Sequence, residues 1–238
     1  MKKIAKKITK ILLSPFIILD YLKFKKFQNK RFYLKIFNFY PQIKDKTVRT
    51  NFDAHYIYHT AWATRKVREI NPKIHTDISS SLYFSGIISA FVPVDFYDYR
   101  PAELKLSGLT CSHTDLTKLH FEDNGINSLS CMHTVEHIGL GRYGDKIDPD
   151  GDLKAISELK RILAKGGSLL FVVPVGKPKI EFNAHRIYSY EQITEYFKDL
   201  ELKEFSLITD SGDYIENANK NLVEKQKYGC GCFWFIKQ

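Results

Sequence analysis

From Asn71-Pro72 onward, short apolar runs alternate with amphipathic stretches. Lys73–Ile78, Val94–Tyr97, Leu109–His113, Ser128–Met132 and Ser168–Val173 read as strands, the last apolar throughout and closed by Pro174. Ser85–Phe91 suits a helix between the first two. Leu153, Ile156, Leu159, Ile162 and Leu163 recur at helical spacing, opened by Asp150 or Asp152 and stopped by Gly166-Gly167. Ser189 with Gln192 predicts a capping box that opens a helix over Tyr190–Phe197. Lys203–Thr209 and Cys232–Lys237 supply two last strands. Strands alternating with helices predict an α/β fold with a doubly wound, mostly parallel sheet, and such sheets bind ligands at the carboxyl ends of their strands.

Polar residues gather at those ends. The first strand runs into Asp77-Ile78-Ser79-Ser80-Ser81, the second ends at Asp98, the third precedes Asp115-Leu116, and the fourth leads to His133, Glu136 and His137. Asp98 is placed to accept from both hydroxyls of a ribose, or else to pair with Arg100 in a surface turn. His133, nearest the end of the fourth strand, is the expected acid–base residue; general-base help is typically worth about 10²–10⁴-fold. Glu136 and His137 join it as catalytic candidates, with a structural role in the loop as the alternative. In the loop that follows, Arg142 and Tyr143 are candidate substrate contacts. His185-Arg186 suits a substrate phosphate or carboxylate, or a buried ion pair with a loop aspartate.

Metal chemistry is not expected. Asp145, Asp148, Asp150 and Asp152 alternate, but the Gly and Glu that a calcium loop requires are misplaced. His133 and His137 have the order H-x-x-E-H, yet His133 falls at a strand end instead of on a helix.

The run from His133 to Ile156, HTVEHIGLGRYGDKIDPDGDLKAI, and the string FNAHRIY from Phe182 to Tyr188 carry a resemblance. Residues 72–238 resemble the core of class I S-adenosylmethionine-dependent methyltransferases. The two strings are similar to a little-characterised branch of methyltransferase-like domains linked to bacterial surface-polysaccharide gene clusters. The resemblance implies a Rossmann-like sheet with a final antiparallel strand and S-adenosylmethionine as cofactor. It also implies cofactor contacts from Asp77, Ser79, Ser81, Asp98, Asp115 and Leu116. Asp115 would accept from the adenine amino group, and the Leu116 backbone would serve the ring. This chain departs from the family in its first turn, where serines stand in place of glycines.

Charge divides the chain unevenly. Residues 1–50 hold 14 Lys/Arg against Asp20 and Asp45, a net +12, whereas residues 51–238 hold 22 Lys/Arg and 25 Asp/Glu, a net −3. The basic character therefore belongs to an arm over residues 1–45, and residues 46–238 form the enzyme-like domain. A near-neutral body argues against nucleic acid as a partner. The arm's longest apolar run, Ile11–Leu22, is interrupted by Ser14, Pro15 and Asp20 and falls short of the roughly 20 residues that span a bilayer. Lys interleaved with Ile, Leu, Phe and Tyr fits a helical segment lying on an anionic membrane, at the cytoplasmic face of the inner membrane. Cys111, Cys131, Cys230 and Cys232 are too few and scattered for a disulfide scaffold, and read as buried thiols.

These features together predict a methyltransferase acting on a sugar, nucleotide-sugar or lipid-linked glycan precursor. Its alternatives are a non-methylating or metal-assisted sugar-modifying enzyme on the same scaffold, and a cofactor-free scaffold protein of glycan assembly. The sequence leaves the oligomeric state open.

Overall fold

Residues 15–27, 31–43 and 45–238 are described by the structure, a computed structural model. They fall into two units, Met1–Phe52 and Asp53–Gln238. In the first, Pro15–Phe27 forms a helix (α1) none of whose residues is buried, and Ile36–Asn38 makes one 3₁₀ turn. The arm's basic start and the beginning of its apolar run, residues 1–14, lie outside the described residues. Among the described residues no helix is long and apolar enough to cross a membrane.

The second unit opens with a helix the sequence reading did not anticipate, Ala54–Ile70 (α2). Asp53 caps its start by accepting from the Tyr56 amide, and Asn71 ends it in the left-handed region, at φ 50°. The chain then alternates as expected: His75–Ile78 (β1), Leu82–Ile88 (α3), Val94–Asp98 (β2), Leu109–His113 (β3), Ile126–Met132 (β4), Gly151–Ile162 (α4) and Leu163–Val175 (β5). A small hairpin, Lys179–Glu181 (β6) with His185–Ile187 (β7), precedes Tyr190–Tyr196 (α5), where Ser189 and Gln192 close the capping box in both directions. Glu201–Ile208 (β8), Tyr214–Ile215 (β9) and Gly229–Ile236 (β10) complete the sheet. Its order is β3-β2-β1-β4-β5-β10-β8-β9, parallel from β3 to β5, with β10 antiparallel to both β5 and β8. The order reverses between β1 and β4, which makes that junction the switch point where ligands bind in open α/β sheets.

Period-two alternation along β5 divides the core between the two faces of the sheet. Leu170 and Val172 pack with Trp62, Val67, Phe84, Ile88 and Phe96 under α2 and α3. Leu169, Phe171 and Val173 pack with Ile156, Leu159, Ile193 and Phe197 under α4 and α5.

Three expectations are corrected here. α4 stops at Ile162, and Leu163 already pairs with Ile126 in β5, so sheet pairing overrides the helical spacing of Leu163. Gly166-Gly167 accordingly sits inside the strand, where a Cβ on Gly167 would stand 2.8 Å from the Ala164 carbonyl oxygen. Leu153 is 40% exposed, and the buried face of α4 is instead Ala155, Ile156, Leu159 and Ile162. Pro174 does not close its strand, because it pairs with Cys230 and the ladder runs on to Val175.

Candidate active site

A cavity of about 370 Å³ opens beyond the carboxyl ends of β1, β2, β3 and β4, within the size range of small-molecule sites. Ser79, Asp98, Tyr99, Arg100, Thr114, Asp115, Leu116 and Thr117 line it together with His133, Thr134, His137, Tyr143, Asp145, Lys146 and Asp148.

The turn after β1 takes the conformation for which glycines are usual. Ser79 adopts φ 57°, held by its amide to the Tyr97 carbonyl (2.7 Å), by its hydroxyl to the same oxygen (3.2 Å), and by Thr134 Oγ1 donating to its carbonyl (2.8 Å). Three hydrogen bonds thus fix a left-handed serine that intrinsic preference disfavours. The neighbouring Ser80 hydroxyl donates no bond into the cavity; it accepts from the Met132 amide (3.0 Å) and ties β1 to β4.

Asp98 ends β2 with Oδ1 accepting from the Arg100 amide (2.7 Å). Asp115 closes a tight turn, Oδ1 accepting from the Thr117 amide (2.8 Å) and hydroxyl (2.7 Å). Between them Thr114 Oγ1 is buried without a hydrogen-bond partner, which a ligand polar atom would supply. Leu116 beside it is 4% exposed.

Asp77 and Ser81, expected beside these, do not line the cavity. Asp77 is wholly buried; its carboxylate accepts from Ser85 and from Ser130 Oγ (2.6 Å), and Ser130 in turn accepts from His75 Nε2 (2.9 Å). Burial pushes its pKa up to about 6 against the three serine hydroxyls that favour the charge. Asp77 therefore ties β1 to β4 and α3. Ser81 precedes α3 without a side-chain bond to it.

The two histidines differ in what their nitrogens already hold. His133, at φ 54° just beyond β4, has Nδ1 2.9 Å from Glu136 Oε1 and Nε2 3.4 Å from Cys230 Sγ. Burial disfavours its charge, but the Cys230 sulfur and the Glu136 carboxylate reverse this and raise its pKa to about 10. His137 Nδ1 donates to the Ala184 carbonyl (2.6 Å), which leaves Nε2 with the lone pair. Burial lowers the His137 pKa, so this ring is neutral at neutral pH. Both rings reach the cavity wall, whereas Glu136, 1% exposed, lies behind them.

The loop from Gly139 to Asp152 is fixed by its own backbone. Asp145 accepts from the amides of Gly139 (2.8 Å), Gly141 (3.3 Å) and Tyr143 (3.2 Å), and Asp148 from the Asp150 amide (3.1 Å) and Lys154 (2.5 Å). Arg186, buried under this loop, donates to the carbonyls of Ile138 (2.6 Å) and Pro149 (3.1 Å) and lies 3.5 Å from Asp152, which Tyr188 also reaches (3.0 Å). Arg186 is thus the buried partner of a loop aspartate and is not brought to the cavity. His185 also stays outside it, 3.4 Å from Glu181, with its ring against Tyr228. Tyr143 does reach the cavity, its ring covered by Arg100 at 4.7 Å and Arg142 at 5.1 Å; Arg142 itself donates to Ala184 (2.9 Å).

Several wall residues were not singled out by sequence: Thr114, Thr134, Tyr99, Arg100 and Lys146. α2 was missed with its His55, Tyr56 and His59, whose rings pack around His133. A readable signal existed in the helical spacing of His59, Trp62, Ala63 and Val67, all buried. Cys131, Cys230 and Cys232 are buried free thiols, and Cys111 is partly buried.

A family model described as "Caenorhabditis protein of unknown function, DUF268" matches residues 109–228, half of the chain. No curated protein matches the sequence. Among solved structures, a putative sarcosine dimethylglycine methyltransferase from Galdieria sulphuraria is similar, with a TM-score of 0.55 at 12% identity over 76% of this chain and 86% of that one. The YcgJ protein from Bacillus subtilis gives 0.53 at 11% identity, over 76% and 99%. MccD protein gives 0.52 at 16%, over 76% and 97%. At such identities the likeness is one of fold: an α/β domain with a mostly parallel central sheet and a late antiparallel strand, as in methyltransferases.

Proposed function

We propose, for a chain that belongs to the DUF268 family, that the domain transfers a methyl group from S-adenosylmethionine to a hydroxyl of a sugar or glycan precursor. The observation that carries this is the cavity at the switch point, lined by Asp98, Thr114 and Asp115 together with His137. The residues fit the cofactor. Thr114 Oγ1 is a buried polar atom awaiting a partner, and Ser79, in the left-handed turn after β1, lines the cavity. Asp98 would hold the ribose diol, Asp115 the adenine amino group, and Leu116 the ring's apolar face. Bound S-adenosylmethionine supplies an electrophilic methyl group.

His137 would take the acceptor's proton. Its Nδ1–H is committed to Ala184, which orients Nε2 as the lone-pair nitrogen, and burial keeps it neutral. His133 has both nitrogens engaged, so it serves as wall and support. Tyr143, Lys146 and Asp148 give the acceptor side an aromatic face among charges, which suits a hydroxylated acceptor better than an apolar one. The arm would bring the enzyme to an anionic membrane carrying such precursors; Phe16, Phe24 and Phe27 of α1 are 75%, 63% and 86% exposed.

Titration calorimetry of the full chain with S-adenosylmethionine and S-adenosylhomocysteine tests the reading. Both should bind, and Asp98→Ala should weaken them by about 1–3 kcal/mol, the loss of a charge-assisted hydrogen-bond partner. Absence of heat at millimolar ligand would refute it.

A further inference from the structure

We propose that His55, His133 and Cys230 form a binding site for a divalent ion of the zinc class. One ligand atom from each residue lies within 4.8 Å of the others. Cys230 Sγ and His133 Nε2 are 3.4 Å apart, close to the edge of about 3.5 Å that a tetrahedron acquires from zinc–sulfur and zinc–nitrogen bonds of about 2.3 and 2.0 Å. Two imidazoles and a thiolate are the donors that zinc and cobalt(II) favour over magnesium or calcium. These three come from separate parts of the chain: the first turn of α2, the end of β4 and the start of β10.

The surroundings are those of a metal site as well. His133 presents its other nitrogen to Glu136 at 2.9 Å, the carboxylate–histidine pairing that orients ligand histidines and raises their basicity. Glu136 Oε1 takes that contact, and its Oε2 is buried with no hydrogen-bond partner. His59, one helical turn after His55, donates Nδ1–H to the His55 carbonyl at 2.6 Å and holds that turn of α2 in place. Its ring stands edge-on to His133, centroids 4.9 Å apart, and its Nε2 is buried without a partner. The rings of Tyr56 and Tyr228, about half-exposed, stack against His133 and His55 respectively and cover the cluster on its outer side. Three protein ligands leave one position open, as in zinc sites that bind a water or substrate. The inference does not rest on methyl transfer; an ion here would stand behind the His133 wall of the cavity whatever the cavity binds.

The test uses the full chain, stripped with chelator and then dialysed against zinc or cobalt(II). One equivalent of zinc per chain is expected, and the cobalt form should show a thiolate-to-cobalt charge-transfer band with the intensity of a tetrahedral site. Cys230→Ser should abolish that band, and His55→Ala should weaken zinc by more than about 100-fold. Glu136→Gln should weaken it about 10–100-fold, the usual loss when a ligand histidine's partner is removed. Cys131→Ser, in the opposite core layer, should leave all readouts unchanged. Because Cys230 lies in a packed strand, His55→Ala, altered at the partly exposed start of a helix, carries the test if Cys230→Ser does not fold. Failure of the wild type to retain zinc, a cobalt spectrum without the thiolate band, or unchanged zinc affinity in His55→Ala would overturn the proposal. Loss of cofactor binding with zinc retained would count against the methyl-transfer reading alone.

Discussion

Replacing Asp77 with Asn should change how stability depends on pH, in a direction set by its burial. The carboxylate is fully enclosed, bonded by Ser85 and Ser130, and its pKa stands at about 6 instead of the ordinary 3.8. Between those values the folded state binds the proton and the unfolded state does not, so stability falls as pH rises through this window. The group costs nothing below the unfolded pKa and its full amount above the folded one. A shift of about 2 units corresponds to about 3 kcal/mol. Asn at this site is never charged. Its amide group has to face one of the three serine hydroxyls that favour the carboxylate, a loss of about 1–3 kcal/mol that does not vary with pH. The variant should therefore be less stable than wild type near pH 4 and should gain on it by about 3 kcal/mol by pH 7. Urea unfolding of both proteins across that range measures this, provided their m-values agree. A flat difference between the two curves, or one that tilts the other way, would refute the account of Asp77 as a buried carboxylate ionised against its surroundings.

His137→Gln should lower methyl-transfer turnover at least tenfold while S-adenosylhomocysteine affinity stays within about twofold, since the residue is assigned to the proton and not to the cofactor; an equal loss of affinity would remove that assignment. Arg186→Met should destabilise the domain by about 3–5 kcal/mol by stranding Asp152 in the interior, and Arg186→Met with Asp152→Asn should recover part of that loss in a double-mutant cycle of urea unfolding. Full-length protein should sediment with anionic vesicles in low salt and be partly released by high salt, and removal of residues 1–45 should abolish the binding; equal affinity for neutral vesicles would dismiss the electrostatic contribution.

The succession of strands and the acidic residues at the end of β2 and just after β3 were legible because period and punctuation agree there: a short run, an acid, then a turn. α2 was not, because its hydropathy only partly matches its burial. Trp62, Ala63 and Val67 do trace the face that packs, but a buried His59 on it and the half-exposed Tyr56 and Ile57 off it blur the pattern. The turn at Ser79 shows a second limit. Propensity argues against a left-handed serine, and the three bonds that hold it come from its own turn and from Thr134, far along the chain. Sequence likewise allowed Arg186 an ion pair with a loop aspartate but could not name Asp152, since that choice depends on how β7 lies under the loop. Leu163 failed for a related reason: continued helical spacing and strand pairing with Ile126 both fit the residue, and only the sheet decides.

The division of labour in the cavity follows from how many polar atoms already have partners. Asp145 holds three amides, Arg186 two carbonyls and a carboxylate, and Asp77 two hydroxyls, so none can turn to a ligand without breaking structure. Thr114 Oγ1 has no partner, and neither does Glu136 Oε2, although both are buried. A buried polar atom without a partner costs stability of order 1–3 kcal/mol, and Thr114, in the cavity wall, stands where a ligand atom would remove that cost. Thr114 lines the cavity with Asp98 and Asp115, whereas Glu136 meets the His133 ring at Nδ1 and Cys230 meets it at Nε2. The two proposed ligands accordingly meet at the His133 ring, held at φ 54°: an organic ligand in the cavity whose wall the ring joins, and a cation at the Nε2 that faces Cys230.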